Sequence, residues 1–353
     1  MTRIMLIAAA MLVAAAQLPS GWSAQRSATT TEFRALSPVS ARVVWAGGRG
    51  GVVARTVDGG ATWRADSIPG AAALFITGIH GVDASTAYVL GTSFAEGVSL
   101  AKIFKTTDGG RSWTVQYSDD RKGVFFDGLA FWDARHGIAF GDPIDGRFVV
   151  VTTADGGATW TPVARDSMPP TLPGEAAFAA SGRAITLFGD RSAWIGTGGA
   201  ARGRVFRSRN RGRSWTVAET PIAGAATAGI FGVAFRDAVH GIAVGGDYSK
   251  PRASLDNVAV TSDGGATWRL AGRALPSGVR YGVSYAPGAG ARAVVAVGPS
   301  GSGYSLDEGT TWVPIDTVGY NAVRFAGRGA GWAVGVEGRI ARVDGALRAF
   351  LRR

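Results

Sequence analysis

Five aspartates, Asp58, Asp108, Asp155, Asp263 and Asp307, and one asparagine, Asn210, recur along the 353-residue chain at intervals of 50, 47, 55, 53 and 44 residues. Each is the third residue of an octapeptide that opens on Ser or Thr and closes on Ser/Thr-Trp, as in Thr56-Val57-Asp58-Gly59-Gly60-Ala61-Thr62-Trp63. The closing residues are Trp63, Trp113, Trp160, Trp215, Trp268 and Trp312. A carboxylate so placed has two uses: it works as an acid or base, or it fastens a turn. Asn210 keeps the acceptor oxygen and loses the charge, so the property common to all six copies is acceptance of hydrogen bonds from the turn's own N–H groups. Gly-Gly supplies residues that tolerate positive φ, and the tryptophan is large enough to wedge between neighbouring units. The fourth and sixth copies diverge, with Arg211 and Glu308 in place of the first glycine.

Other chemistry finds few residues to carry it. A sialidase-type site needs an arginine cluster for the substrate carboxylate, a Tyr/Glu pair as nucleophile and a separate acid. Phe33-Arg34-Ala35-Leu36-Ser37-Pro38 departs from the early Arg-Ile-Pro motif of such enzymes, and Tyr281, Tyr285 and Tyr320 have no glutamate beside them in sequence, which leaves pairing at a distance open. The three histidines, His80, His136 and His240, each precede glycine and are expected at turns in separate blades, too far apart to share a metal. Cysteine is absent, which removes disulfides and thiolate ligands. No glycine-rich phosphate loop opens a helix. No catalytic, cofactor-binding or metal-binding residue is therefore assigned.

The elements that must position these residues are short strands. Apolar runs punctuated by glycine pair ahead of each octapeptide, as in Arg42 to Ala46 with Val52 to Thr56, and another strand starts at each closing tryptophan. Four strands per period of about 50 residues make a β-propeller blade. A seventh strand pair, Gly331 to Val336 and Arg339 to Val343, reaches no octapeptide. The expected fold is all-β: a seven-bladed β-propeller of four-stranded antiparallel blades over residues 32–353. Its last outer strand is assigned to the segment around Thr30 to Leu36 or to Ala346 to Phe350. Ahead of it, Arg3, the apolar run Ile4 to Ala16 and a small-residue stretch ending at Ala24 read as a secretory signal over residues 1–24, with 25–31 a flexible lead-in.

The pattern Ser/Thr-x-Asp-x-Gly-x-Ser/Thr-Trp resembles the Asp-box, or bacterial neuraminidase repeat, of sialidases, xyloglucanases, sortilin-type receptors and the photosystem II assembly/stability propellers. The longer phrase from Gly48 to Trp63 looks most like the last group. That resemblance implies an exported, non-catalytic ring that binds or assembles another protein or a membrane complex, located in the periplasm or otherwise outside the cytoplasm, with no cofactor. The box itself speaks for fold and hardly for function. A glycoside hydrolase of sialidase type and a carbohydrate-binding propeller are the alternatives. Nucleic acid is not an expected partner, and the ring is expected to be monomeric.

Binding is expected on the rim opposite the boxes, where polar loops sit on a rigid ring. The candidates are Asp120, Arg121, Asp142, Asp145, Arg147, Glu175, Asp247, Tyr248 and Arg252. A net charge of +11, carried by 37 Lys and Arg against 26 Asp and Glu, favours acidic partners. Arg202, Arg204, Arg207, Arg209, Arg211 and Arg213 lie within twelve residues around the fourth box, and the last five are expected to form a basic edge.

Overall fold

Apolar runs too short for a helix face, each closed by glycine or a turn, pair as strands of at most eight residues. In the computed structural model, which describes residues 21–253, 256–272, 278–288 and 290–343, they form seven four-stranded antiparallel sheets. One 3-10 turn, Arg165–Ser167, is the only helical element among the described residues. Residues 33–67, 74–119, 126–162, 185–223, 228–270 and 282–316 make blades 1 to 6 from consecutive strands. Blade 7 takes Ala322–Phe325, Gly331–Val334 and Ile340–Val343, and its outer strand is Trp22–Gln25. The first strands of successive blades pack side by side, and that of blade 7 meets that of blade 1. The expected seven-bladed propeller is the fold.

The closing strand corrects the sequence reading. Phe33–Pro38 is the first strand of blade 1, because its Phe33 and Leu36 are needed inside, and residues 346–350 lie outside the described residues. Trp22 pairs with Val343 and Gln25 with Ile340. The indole of Trp22 fills the place a box tryptophan fills elsewhere, packing with Ile315 and Tyr320 between blades 6 and 7 and donating to Ser302 Oγ at 2.9 Å. The boundary expected at residue 24 falls inside this strand, and residues 25–31 are its last residue and the connection to blade 1. That connection is tied down by a 2.7 Å bond from Gly338 N to Thr31 O.

Seven apolar clusters fill the seven gaps between blades. Each box tryptophan belongs to the gap behind its own blade: Trp63 packs with Trp332 and Phe33, and Trp160 with Tyr88 and Phe131. The box turn above it is a closed hydrogen-bond circuit. Thr56 Oγ1 donates to Asp58 Oδ1 at 2.7 Å and accepts from Gly60 N at 2.9 Å, while Asp58 accepts from Thr62 N and, at 2.6 Å, from Thr62 Oγ1. Those bonds from Thr62 and Thr56 hold the Asp58 carboxyl below the usual carboxylate range. In the fourth copy Asn210 Oδ1 accepts from Ser208 Oγ and Ser214 N, and its amide donates to Ser214 Oγ at 2.8 Å, so the circuit closes without the charge. Gly59 and Gly60 take φ of +79° and +90°, and Arg211 and Glu308 take the same left-handed region, at +61° and +62°. The residue at the first-glycine position, including Arg211 and Glu308, donates its N–H to the loop joining the blade's first two strands, as in Gly59 N to Arg42 O at 2.9 Å, which sets that loop and the box on one rim.

Two outcomes test this arrangement. Trp63→Ala is expected to cost about 3 to 5 kcal/mol in urea unfolding, and Trp113→Ala, at a partly exposed position, distinctly less. A chain starting at residue 26 is expected to melt well below one starting at residue 21, because blade 7 then loses its outer strand and Trp22.

Candidate functional site

Every first strand repeats one five-residue pattern. Its leading residue is Arg34, Thr77, Asp127, Arg183, Phe231, Tyr281 or Asn321, followed by a small residue, a buried aliphatic, a fourth residue and a fifth. The small residue is forced by close approach of neighbouring strands: a Cβ on Gly78 would lie 2.8 Å from Leu129 N, and one on Gly128 2.8 Å from Ile185 Cγ2. In blades 1, 2, 3 and 5 the leading residue is also the extra residue of a β-bulge, which turns it out of the ladder. Leading residues Arg34, Phe231 and Tyr281 line a cavity at the rim opposite the boxes, and fourth residues Thr186, Ala234 and Ser284 line one at the box rim.

The long connection from blade 3 to blade 4 separates the two. Its end, Ser181-Gly182-Arg183, crosses the channel axis. Gly182, at φ +58°, sits so close to blade 2 that a Cβ would lie 3.0 Å from Thr77 O, and its own carbonyl accepts from Arg324 Nη2 of blade 7 at 3.0 Å. Val233 N of blade 5 donates to Arg183 O, and Arg183 Nη2 donates to Ser284 Oγ of blade 6 at 3.3 Å. The plug therefore touches blades well away from its own.

Above the plug lies a funnel of about 350 Å³ with an aromatic wall. Phe178 stacks on Phe231 with centroids 4.4 Å apart, and Tyr281 and Tyr248 pack against Phe231 at 5.2 and 6.2 Å. On the other side Phe94 meets Phe125 at 4.8 Å, and the Arg34 guanidinium lies 4.7 Å from the centre of Phe75 and 5.5 Å from that of Phe94. Phe94 and Tyr248 remain 43% and 45% exposed, which leaves apolar surface at the mouth uncovered. The polar groups are Arg34, bound to Glu32 at 2.9 Å, and Asp142, which accepts from Ala177 N at 2.8 Å. Burial raises the Asp142 carboxyl to about 6. Asp127, fully buried with neither oxygen bonded, is pushed well above the carboxylate range by burial and by Asp142.

Of the rim candidates, Asp142 and Tyr248 line this funnel. Asp247, beside Tyr248, is spent on Thr227 and Ser249 at 2.7 Å. Glu175 is not presented at all: its buried carboxylate binds the guanidinium of Arg204 and takes the Thr197 hydroxyl at 2.6 Å. Asp145 bonds Arg165 at 3.1 Å, Arg121 clamps Asp119, Arg147 reaches the Gly146 carbonyl, and Asp120 and Arg252 are exposed turn residues outside the funnel lining. The basic edge does not assemble either. Arg204 is inside the blade, Arg207 leans on Gly264 O beside exposed Arg209, Arg211 turns the other way toward Asp190 O and Asp133, and Arg213 is exposed. A hairpin cannot set all five on one side. Arg34, Phe94, Phe178 and Phe231 line the funnel without being sequence candidates; the repeated first-strand pattern signals Arg34 and Phe231, and no repeated pattern marks Phe94 or Phe178.

Below the plug, a cavity of about 630 Å³ is lined by Arg183, Arg236, Ser284, Tyr285 and Arg328 among others. Here the distant pairing left open by the sequence does occur: Tyr285 OH donates to Glu308 Oε1 at 2.6 Å, and Arg236 Nε binds the same oxygen at 2.9 Å. Burial and the Glu308 carboxylate drive the Tyr285 hydroxyl far above its ordinary value. His136 and His240 sit in turns against Asp133 and Asp237. His80, expected in a turn, instead lies within the first strand of blade 2, at the fourth place of the five-residue pattern, and is lowered to about 4 by burial and by Arg324. No group of three or more acidic or histidine side chains is placed to hold a metal among the described residues.

The raised Asp142 gives a signed pH prediction. An unfolded carboxyl ionises near 4 and the folded one near 6, so the native state binds the extra proton in between and stability falls as pH rises through that window. Asp142→Asn keeps the acceptor for Ala177 N. It is expected to gain about 2 to 3 kcal/mol on the wild type between pH 4 and pH 7, read as diverging unfolding midpoints.

Neither a protein-family model nor a curated protein sequence matches the chain. Among solved structures it is similar to YCF48 bound to D1 peptide, at 16% identity over 92% of this chain and 97% of that one, with a TM-score of 0.64. YCF48 from Cyanidioschyzon merolae aligns at 16% identity over 92% and 98%, again with a TM-score of 0.64. The GH74 xyloglucanase from Xanthomonas campestris aligns at 17% identity over 92% of this chain but 54% of that enzyme, with a TM-score of 0.62. What these likenesses share with the chain is the seven-bladed propeller fold.

Proposed function

We propose that this chain is an exported, non-catalytic scaffold or assembly factor that holds an extended segment of a partner protein, or of a membrane-protein complex, in the aromatic funnel opposite the boxes. The observation that carries the reading is the funnel itself. Two exposed aromatics, Phe94 and Tyr248, stand over an apolar floor closed by the plug, with one cation, Arg34, beside them. Such a wall gains by burying an apolar side chain, and a few polar groups fix its direction. Similarity to a propeller solved with a bound peptide supports the same reading. Export rests on Arg3 and the apolar run from Ile4 to Ala16.

A second reading, a glycoside hydrolase of sialidase type, draws on Tyr285, Glu308 and the arginines at the opposite mouth. It is the weaker. Glu308 is already paired with Arg236 and raises the tyrosine instead of freeing it, and no carboxylate lines that cavity among the described residues to serve as the separate acid. Xyloglucanase-type chemistry meets a further obstacle, since the chain spans about half of that enzyme.

The test begins with capture from periplasmic and membrane fractions, followed by titration of peptides from the captured partner. Phe94→Ala with Tyr248→Ala is expected to weaken peptide binding at least about tenfold. Arg209→Ser with Arg213→Ser, by the box of blade 4, should leave it unchanged. Binding that survives the aromatic double variant overturns the funnel reading. Cleavage of a fluorogenic sialoside that disappears in Tyr285→Phe establishes the hydrolase instead, and saturable binding of an oligosaccharide at the funnel establishes a carbohydrate module.

A further inference from the structure

The channel below the plug carries cationic charge that no carboxylate among the described residues balances. Arg183 and Arg324 are drawn deep into the ring from opposite sides, one by the plug and one from the first strand of blade 7, and neither has a carboxylate within ion-pair distance. Their hydrogen bonds go to neutral acceptors, Ser284 Oγ and Gly182 O, and the Nε–H of each is buried without a partner. Arg236 is neutralised by Glu308 and Asp237, so it offsets nothing here. Burial pushes both guanidinium groups down, and Arg324 pushes Arg183 down further. A guanidinium does not escape by losing its proton. Two buried like charges with unmet donors are a large penalty unless a counter-charge sits between them.

Both arginines keep part of their surface accessible; Arg183 and Arg328 line the cavity of about 630 Å³ at the box rim, and Arg324 reaches the plug next to Arg183, bonding Gly182 O at 3.0 Å. We propose that this end of the channel is a binding site for one small tetrahedral dianion, inorganic phosphate or sulfate, which enters the cavity at Arg183 and is held by Arg183 together with Arg324 from the adjoining first strand of blade 7. Two negative charges match the two unbalanced cations, and the oxygens of a tetrahedral ion can meet two guanidinium forks that arrive from different directions. The plug stands between this site and the funnel.

The full mature chain, freed of multivalent anions in dilute chloride, is titrated calorimetrically with sodium sulfate and with inorganic phosphate at constant ionic strength, and its melting is followed in parallel. One saturable site and a rise in melting temperature are expected for both dianions. Arg183→Met and Arg324→Met should each weaken binding at least tenfold. In chloride alone each should melt no lower than the wild type, because it removes an unbalanced buried charge. Arg183→Lys, which keeps the charge without the fork, should retain part of the affinity. The absence of saturable heat from wild-type protein overturns the proposal whatever the variants do. Equal effects of chloride or acetate overturn the dianion, and undiminished binding in both methionine variants overturns the site.

Discussion

A propeller ring is sealed only while its last blade is complete, and here that blade is completed from the other end of the chain. Trp22–Gln25 pairs with Ile340–Val343, and the indole of Trp22 occupies the gap between blades 6 and 7 where a box tryptophan would otherwise stand. With the ring closed, each gap between blades is bounded on both sides and its apolar cluster is sealed. The first strands are then pressed together at the axis, where only glycine and alanine fit at the second position of the pattern. The channel and both of its cavities inherit their shape from that crowding.

Given a rigid ring, the residues that differ between blades decide what it can do. The boxes are spent on structure: their hydroxyls, carboxylates and amide close circuits within the turn, and their tryptophans are buried or nearly so. The first-strand leading residues are free of that duty and vary from arginine to phenylalanine. The plug separates two environments, an aromatic funnel lined by leading residues on one rim and a cavity lined by fourth residues and arginines on the other, although the chain that forms it is a connection with little regular structure of its own.

The two mouths differ in electrostatics for the same reason. At the funnel the buried charges are acidic: burial raises the carboxyl of Asp142 in its lining, and burial with Asp142 raises that of Asp127 nearby. Below the plug the buried charges are guanidinium groups, which stay charged and call for an anion. One ring thus carries an aromatic funnel and a cationic cavity back to back.

The sequence by itself determined the repeat, the strand order within a blade and the structural duty of Asp58 and its equivalents, because turn chemistry and strand pairing are local and were repeated six times; seven blades were its expectation, and ring closure settled the number. It did not determine which end segment closes the ring, since four residues ending at Gln25 carry no pattern of their own and gain one only on meeting Val343. Nor did it separate presented charges from spent ones: Glu175 and Arg204 lie 29 residues apart and cancel inside blade 4, while Arg183 and Arg324, on opposite sides of the ring, are brought together by the plug. Those facts depend on distances across the ring, which only the closed tertiary structure fixes.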